Sequence, residues 1–326
     1  MDETKCAGRM TRAVWAACLT LIVGSAGRVD AGAYTGLVVF GDSLSDVGNT
    51  YAAAGVPSAA DHYYEGRYSD GPNWVDYLAA KLGVAAPTPS FLGGANYAWG
   101  FAQSGDGFSY PLGAGGPGVP NLLTQVGGFL LGGGTLAPTE LVSVWAGAND
   151  FLNNGATDYV QVADNVVAAV SALAAAGGTH FLVGNLPLLG VLPATLGLPE
   201  AVRDQLNLLT IAFNATLEAK LAGLQAVFPG IELHFNDVNA EFQMILGDPA
   251  AYGLTDVTGG AVLGGLDDGA GYLFWDSVHP TTEVHRLIAD RAYAAAVPEP
   301  SSIALAAIGA GALVAAARSA ARRRAA

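Results

Sequence analysis

Cysteine is nearly absent from this sequence, and both cysteines, Cys6 and Cys18, lie in the first eighteen residues. If that segment is removed from the mature protein, no cysteine remains in it. The rest of the chain then needs no disulfide, offers no thiol nucleophile and has no cysteine cluster that could bind zinc. The mature fold therefore depends on side-chain packing rather than on covalent cross-links.

Positive charge is also scarce in the body of the chain. Residues 34–297 hold six lysines and arginines against 24 aspartates and glutamates, a net charge of −18. Such a surface repels nucleic acid and anionic lipid headgroups, so neither is expected as a partner. Because 52% of all residues are hydrophobic and only 13% are charged, extensive disorder is excluded. This composition is typical of a domain that works outside the cytoplasm.

The N-terminal segment lacks an apolar run long enough to span a bilayer. Three basic residues precede an apolar run of eleven residues, 13–23, well short of the roughly 20 that a transmembrane helix needs. Small residues follow, and cleavage by signal peptidase after Ala33 or after Ala31 fits the small-x-small pattern. We therefore predict a secretory signal peptide over residues 1–33, with Met10 as an alternative start.

The C-terminal segment has the features of a second targeting signal. Val-Pro-Glu-Pro at 297–300 is followed by an apolar stretch, 303–317, and then by an arginine cluster. Fifteen helical residues cover only about 22 Å, which is short for a span unless flanking residues contribute. This order resembles the PEP-CTERM sorting tail of Gram-negative bacteria, which implies recognition by an exosortase and delivery to the cell surface or an extracellular matrix. Residues 297–326 are predicted to be such a tail, with an ordinary membrane anchor as the alternative.

Between these two ends, short apolar strands alternate with helical stretches, and no repeat is apparent. This alternation predicts a parallel sheet in one doubly wound α/β domain, residues 34–296. Strands are predicted at 37–40, 95–98, 141–145, 181–183 and 231–235. Helices are predicted at 72–82, 158–176, 200–226 and 282–296. The glycine-rich tracts at 113–118 and 127–134 are predicted to be loops.

Two polar motifs far apart in the sequence could supply a nucleophile and its base. Gly41-Asp42-Ser43 follows the first predicted strand, where a serine in a turn can present its hydroxyl in a cleft. Asp276-Ser277-Val278-His279 lies near the end of the domain. A histidine accepts the proton of a serine hydroxyl when an acceptor holds its other ring nitrogen, and Asp276 could be that acceptor. Each motif alone is also compatible with an ordinary turn.

Two further motifs could stabilise a developing negative charge. Asn149 lies in Gly-Ala-Asn-Asp directly after the predicted strand at 141–145, and its amide can donate a hydrogen bond. Gly100 ends the segment Asn-Tyr-Ala-Trp-Gly after the short predicted strand, and its backbone N–H is not shielded by a side chain. In such folds ligands bind at the carboxyl ends of the strands, where all four motifs are expected to lie.

Taken in chain order, GDSLS, a glycine block, GxND and DxxH resemble the four sequence blocks of the SGNH (GDSL) hydrolase family. The resemblance implies a flavodoxin-like three-layer α/β/α sandwich with a mostly parallel five-stranded sheet. It implies an esterase or lipase that acts through an acyl-enzyme, with site residues at the matching positions: Ser43 (nucleophile and oxyanion donor), Gly100 and Asn149 (oxyanion donors), His279 (base) and Asp276 (its partner). One departure is Phe101, which stands where many members have another glycine, so Gly94 is an alternative to Gly100. Asp46 and Asn49 are expected to brace the serine turn.

The substrate is left open by the sequence. The family includes lipases, lysophospholipases, arylesterases, carbohydrate acetylesterases and acyltransferases, so the resemblance implies a small-molecule or lipid ester. A matrix address favours polysaccharide deacetylation, whereas a cluster of aromatic residues favours acyl or aryl esters: Tyr63, Tyr64, Tyr68 and Trp74. A matrix-binding protein that keeps the fold without catalysis is the alternative of a different class.

No cofactor and no metal are predicted. The histidines outside the catalytic motif, His62, His180 and His234, have no partners at ligand spacing in the sequence. His285 is expected to serve packing or to be exposed. Asp267 and Asp268 lie in a glycine-rich loop and are expected to be solvated, with a calcium loop as the alternative.

Overall fold

The strands predicted from the apolar runs are present in the computed structural model, which describes residues 34–110 and 116–297. In chain order the strands are β1 (Gly36–Gly41), β2 (Phe108–Ser109), β3 (Val119–Pro120), β4 (Glu140–Trp145), β5 (His180–Gly184), β6 (Glu232–Asn236), β7 (Asp256–Gly260) and β8 (Tyr272–Phe274). The main sheet pairs four of them in parallel, in the order β1-β4-β5-β6. The side chains of β1, β4 and β5 are mostly apolar on both faces, as expected for a parallel sheet covered by helices.

The fifth predicted strand is present as a hydrogen-bonded segment beside β1. The N–H of Val39 donates to the carbonyl of Ala95 (3.1 Å), and the N–H of Tyr97 donates to the carbonyl of Val39 (2.6 Å). This segment forms a single parallel bridge, Val39 with Asn96, rather than a full strand. Counting it as the second strand gives the order 2-1-3-4-5 of a flavodoxin-like sheet.

Helices cover both faces of the sheet, which gives the predicted three-layer sandwich. In chain order they are α1 (Asn49–Ala54), α2 (Trp74–Leu82), α3 (Leu122–Leu131), α4 (Ala148–Leu152), α5 (Tyr159–Ala175), α6 (Pro193–Leu196), α7 (Glu200–Val227), α8 (Val238–Gly247) and α9 (Thr282–Ala296). Helix α2 packs on α9, while α5 packs on both α3 and α7. The four predicted helices are confirmed to within two residues at each end.

Local sequence explains where two of these helices begin. The Asn73 side chain accepts from the N–H groups of Val75 and Asp76, and Asp76 accepts from the Asn73 N–H, which completes a capping box before α2. The Asp158 side chain accepts from the Gln161 N–H at the start of α5. Both caps satisfy N–H groups that have no partner within the helix.

The prediction of a loop over 127–134 is wrong for its first half. Helix α3 continues through Gly127 and Gly128 to Leu131. Glycine in a helix costs about 1 kcal/mol relative to alanine, but Val126 and Phe129 are buried on one side of this helix and hold it against the core. The other glycine tract, 113–118, is described only from residue 116 onward.

The predictions for the two ends of the chain lie outside the described residues. These are the signal peptide at 1–33 with Cys6 and Cys18, and the sorting tail from residue 298 onward. Within the part of the chain that the structure describes, no helix combines the length and the apolar character needed to cross a membrane.

Candidate active site

Ser43 lies in a tight turn at the carboxyl end of β1. A Cβ atom on Gly41 would lie 2.2 Å from the carbonyl oxygen of Trp145, so only glycine fits the last position of the strand. The carbonyl of Asp42 accepts from the N–H groups of Ser45 and Asp46, both at 3.0 Å, and reverses the chain. The turn therefore holds the Ser43 hydroxyl at the floor of a cleft, with 9% of the residue exposed.

Buried carboxylate and amide groups hold this turn in place. The Asp46 carboxylate accepts from the N–H groups of Gly48 and Asn49, both at 2.7 Å, and from the Thr50 hydroxyl at 2.7 Å. The Asn49 amide donates to the carbonyls of Asn96 (2.7 Å) and Ala98, which ties the turn to the neighbouring segment. The prediction that Asp46 and Asn49 brace the serine turn is confirmed.

The structure brings Ser43, His279 and Asp276 together from opposite ends of the domain. The His279 Nε2 atom lies 2.8 Å from the Ser43 hydroxyl, across 236 residues of sequence. The His279 Nδ1 atom lies 2.6 Å from the Asp276 carboxylate. All three residues are buried, at 7–9% exposure. This is the geometry in which a histidine can take a proton from a serine while a carboxylate holds its ring.

Asp276 is held as a carboxylate by its surroundings. Burial by itself would raise its pKa, but the adjacent His279 and hydrogen bonds from the N–H groups of Val278 and His279 outweigh burial and lower the pKa to about 2. One carboxylate oxygen takes these two N–H groups, which leaves the other free for the imidazole. Asp276 therefore remains ionised at any pH near neutrality.

Tyr63 makes a contact with this carboxylate that the sequence did not reveal. Its hydroxyl donates to the same Asp276 oxygen that faces His279, at 2.8 Å. Tyr68 lies against the imidazole, with its ring centre 4.9 Å from that of His279. Of the other members of the predicted aromatic cluster, Trp74 is buried in the core and Tyr64 is exposed. The cluster thus divides between the site, the core and the surface.

Replacing Tyr63 by phenylalanine is expected to lower kcat about tenfold and leave KM unchanged, because a hydrogen bond to a charged group is lost next to the reacting histidine. The check is steady-state kinetics on a soluble ester. Tyr64→Phe is the matched control, since its ring lies on the surface beside Arg67. An unchanged kcat in Tyr63→Phe would show that this hydroxyl does not position Asp276.

Asn149 reaches the same cleft from the start of α4. Its amide nitrogen donates one hydrogen bond to the carbonyl of Ala102 (2.9 Å), and its amide oxygen accepts from Asn153 (2.7 Å). The oxygen and one N–H are fixed by these contacts, so the second N–H of the amide is available to a ligand. Asn149 and Ser43 line the same cavity.

The Gly100 N–H is not available to a ligand, which corrects its prediction as an oxyanion donor. It donates to Asp46 (3.0 Å) and to the Thr50 hydroxyl (2.8 Å). Gly100 is needed for space instead, since a Cβ atom there would lie 2.0 Å from the Tyr68 hydroxyl. The alternative, Gly94, also uses its N–H, donating to the carbonyl of Pro89 at 2.9 Å.

Phe101, the residue that departs from the family pattern, has the properties expected of the missing donor. Its backbone is left-handed, with φ of 66°, a conformation that few residues other than glycine adopt. Among the described residues its N–H has no hydrogen-bond acceptor, and the same holds for the Ser43 N–H. Phe101 lines the cavity together with Ser43 and Asn149. The signal in the sequence was the departure at Phe101 itself, which led the sequence analysis to weigh Gly94 against Gly100 rather than to consider Phe101.

Asp42, beside Ser43, is fully buried, and burial raises its pKa to about 7. Since the pKa in the folded state exceeds the ordinary value of 3.8, the contribution of Asp42 to stability is complete below pH 3.8 and is lost as the pH rises through 7. Asparagine at this position is expected to abolish that loss. Relative to wild type, Asp42→Asn should gain up to about 4 kcal/mol in the free energy of unfolding between pH 4 and pH 8.

Urea unfolding at pH 4, 6 and 8 measures this difference. The exposed Asp267→Asn is the control, and it should follow wild type across the range. A gap between Asp42→Asn and wild type that does not change with pH would show that Asp42 does not titrate in this window.

The cleft beside Ser43 opens into a cavity of about 600 Å³, within the range of small-molecule sites. Ser43, Asn149 and His279 are among its polar lining residues. The remaining wall is mostly apolar and comes from α4, from the segment before α7 and from α7 itself, including Phe151, Leu189, Leu192, Leu206 and Leu209. An apolar group of an ester could therefore lie in the cavity while its carbonyl faces Ser43.

The histidines and loop aspartates that were not predicted to be catalytic make other contacts. His285 is buried beneath the site, as expected for a packing role, and burial lowers its pKa to about 3. Asp267 pairs with His62 at 3.1 Å, and Asp268 accepts from the N–H of Ala270. His180 and His234 do meet a shared partner, Glu232, which corrects the prediction that they have none.

Comparison with known proteins places these observations in a family. The model of the GDSL-like lipase/acylhydrolase family matches residues 37–292, inside the predicted domain. A second model, the PEP-CTERM protein-sorting motif, matches residues 296–324, so the C-terminus carries a signal for export and cell-surface sorting.

Similar proteins come from bacteria and plants. A phosphatidylcholine-sterol acyltransferase of Aeromonas hydrophila is 26% identical, with 80% of this chain and 89% of that protein covered. A GDSL esterase/lipase of Arabidopsis thaliana is 28% identical, with 79% and 81% covered. A solved structure of a lipolytic G-D-S-L family protein from Veillonella parvula gives a TM-score of 0.45 at 16% identity, with 79% and 96% covered. The chain belongs to the GDSL-like lipase/acylhydrolase family and is an ester-hydrolysing enzyme.

Proposed function

We propose that this protein is an exported serine hydrolase that cleaves carboxylic esters through a Ser43–His279–Asp276 triad and an acyl-enzyme intermediate. The observation that carries the proposal is the unbroken series of contacts from the Ser43 hydroxyl through both nitrogens of His279 to Asp276. Three buried polar groups from two distant segments meet in this order, and Ser43 and His279 line an apolar cavity through which an ester can reach the serine.

The chemistry follows from these positions. His279 Nε2 takes the proton of the Ser43 hydroxyl as the oxygen attacks the carbonyl carbon of the ester. The tetrahedral intermediate collapses when the bond to the leaving oxygen breaks, and His279 returns the proton to the departing alcohol. Water repeats these steps on the acyl-enzyme and releases the acid. Asp276 stabilises the charged imidazole in both halves of the reaction.

The oxyanion formed in each half needs donors that point into the cleft. We assign this role to the N–H groups of Ser43 and Phe101 and to the Asn149 amide, since each retains an N–H that the described residues do not use. Phe101 replaces Gly100 in this assignment. Its left-handed backbone and the N–H without an acceptor among the described residues support this choice.

The cavity supports an acyl chain longer than acetyl as the preferred substrate group. Its wall away from the triad is formed largely by leucine and phenylalanine side chains, and burying apolar surface there stabilises a bound chain by roughly 0.8 kcal/mol per methylene. An acetyl group would leave most of that wall in contact with water. This favours a lipase or long-chain esterase over a carbohydrate acetylesterase.

Replacing Leu206 by tryptophan is expected to shorten the preferred chain. Leu206 lines the cavity from α7, so the larger ring fills part of the space that a long chain needs. The ratio of kcat/KM for p-nitrophenyl laurate to that for the butyrate should fall at least about tenfold. Leu208→Trp is the matched control, because Leu208 lies on the same helix with 61% of its surface exposed. An unchanged ratio in Leu206→Trp would place the acyl chain elsewhere.

The test of the proposed function is covalent labelling of the full chain with a serine-reactive organophosphate, followed by peptide mass spectrometry. A single adduct on Ser43, together with loss of ester hydrolysis, is expected. An adduct elsewhere would overturn the nucleophile assignment. A folded chain that neither reacts nor turns over esters from C2 to C16 would favour the matrix-binding alternative.

The sorting motif supports a proposal about location. We infer that signal peptidase removes residues 1–33 and that an exosortase recognises the tail, which delivers the domain to the cell surface or matrix. The net negative charge of residues 34–297 disfavours binding to nucleic acid, which agrees with a location outside the cytoplasm. Fractionation of cells that express the chain with and without residues 297–326 would test it, and the truncated chain is expected in the periplasmic or medium fraction rather than at the cell surface. An unchanged distribution would contradict the proposal.

A further inference from the structure

A cluster of side chains that could bind a metal ion lies toward the amino ends of the strands, at the end of the sheet opposite the triad. His180 is the first residue of β5, and it pairs in register with Glu232, the first residue of β6. His234, two residues further along β6, has its side chain on the same face as Glu232. The triad is at the carboxyl ends of the strands, whereas this cluster is at their amino ends. It therefore has no part in the proposed ester hydrolysis.

The spacing of the three side chains matches that of metal ligands. His180 Nδ1 lies 3.3 Å from a Glu232 carboxylate oxygen, and His234 Nε2 lies 4.0 Å from the same oxygen. All three ligand atoms lie within 4.8 Å of one another. Ligands that bind zinc at roughly 2.0–2.2 Å in tetrahedral geometry are about 3.3–3.5 Å apart, so only small side-chain adjustments separate this cluster from a zinc site.

Hydrogen bonding within the protein does not account for the arrangement. His180 Nδ1 is buried and, within the described part of the chain, has no hydrogen-bond partner, although the carboxylate is near. The Tyr34 hydroxyl donates its proton to the carbonyl of Ala296 (2.9 Å), so it presents only lone pairs to His234 Nε2 at 3.4 Å. Two imidazole nitrogens, a carboxylate and a hydroxyl oxygen thus converge, and such a set of ligand atoms attracts a cation.

A simple ion pair would explain less. One imidazole is enough to pair with a surface carboxylate, and pairs of this kind contribute little to stability. Here two imidazoles from neighbouring strands face one carboxylate, and their side chains are only 23% and 12% exposed. Two histidines with one carboxylate, and an open position for water, are a common ligand set for zinc in proteins.

We propose that His180, Glu232 and His234 bind one divalent transition-metal ion, of which zinc fits best. The half-exposed carboxylate of Glu232 gives the ion a path from solvent. Bound there, the ion links β5 to β6 beside Tyr34 and the end of α9. Its role is to stabilise this edge of the domain, and hydrolysis at Ser43 is expected to proceed without it.

Zinc titration of the chelator-stripped full chain tests the proposal. Isothermal titration calorimetry should give one ion per chain, and zinc at 100 times its dissociation constant should raise Tm by about 5 °C or more. His180→Ala and His234→Ala should each weaken binding at least about tenfold. His62→Ala is the matched control, because this exposed histidine pairs with Asp267 on another part of the surface.

Metal binding to the wild-type chain alone also tests the proposal, so the test does not depend on how well the variants fold. Cobalt bound to the stripped chain should show the visible absorption of a tetrahedral site with nitrogen and oxygen ligands. Absence of stoichiometric zinc uptake, or wild-type zinc affinity in both histidine variants, would overturn the proposal. Zinc binding that always accompanies inhibition of ester hydrolysis would overturn it as well, since the ion would then be at the triad. The Ser43→Ala variant, which is expected to lose esterase activity, should still bind one zinc ion, so the two proposals can fail independently.

Discussion

Ser43→Ala is expected to lower kcat for ester hydrolysis by about 10⁴-fold or more while the protein remains folded. The hydroxyl is the only group that meets His279 Nε2 in the described structure, and alanine leaves that nitrogen without a nucleophile to activate. Removing the hydroxyl leaves the core intact, so Tm should change by no more than a few degrees. Residual activity, if any, should come from binding and oxyanion donors acting on water.

The measurement is hydrolysis of p-nitrophenyl esters from C2 to C16 by the full chain. Ser277→Ala is the matched control, because Ser277 lies in the histidine loop and lines the same cavity. Its activity should remain within about threefold of wild type. Substantial activity in Ser43→Ala, with contaminating esterases excluded by the labelling experiment, would remove Ser43 from the role of nucleophile.

Asp276→Asn is expected to produce a loss of similar size, about 10⁴-fold in kcat. An asparagine amide in this position can donate to His279 Nδ1, which would place the ring proton on Nε2 and prevent that nitrogen from accepting the serine proton. Because the pKa of Asp276 is about 2, the wild-type carboxylate is ionised throughout the working range and is always an acceptor. Steady-state kinetics between pH 5 and pH 9 measure the loss.

The exposed Asp267→Asn provides the comparison for Asp276→Asn, since it makes the same chemical change at a surface carboxylate that pairs with His62 rather than with His279. Its kcat should match wild type at every pH. A loss below tenfold in Asp276→Asn would mean that the carboxylate only positions the loop, through its bonds to the Val278 and His279 N–H groups. Tyr63, which shares the carboxylate, would then become the residue to examine next.

The sequence by itself determined the elements and the chemistry of single residues. Apolar runs predicted the strands of the main sheet, because strands buried on both faces must be apolar. The helical stretches between the strands predicted α2, α5, α7 and α9 to within two residues at each end. The GDSLS and DxxH motifs predicted Ser43, His279 and Asp276 as the triad, since a nucleophile, a base and an acceptor have few substitutes. Local composition failed at α3, where two glycines were outweighed by the burial of Val126 and Phe129.

Only the tertiary structure decided which backbone N–H groups lack an acceptor and which distant side chains come into contact. Gly100 and Phe101 are neighbours in sequence, yet one N–H is used by Asp46 and Thr50 while the other has no acceptor among the described residues. His180 and His234 are 54 positions apart, and they share a carboxylate because β5 and β6 are adjacent in register. Hydrogen-bond partners and distances between strands are properties of three-dimensional packing, so no reading of spacing along the chain could supply them.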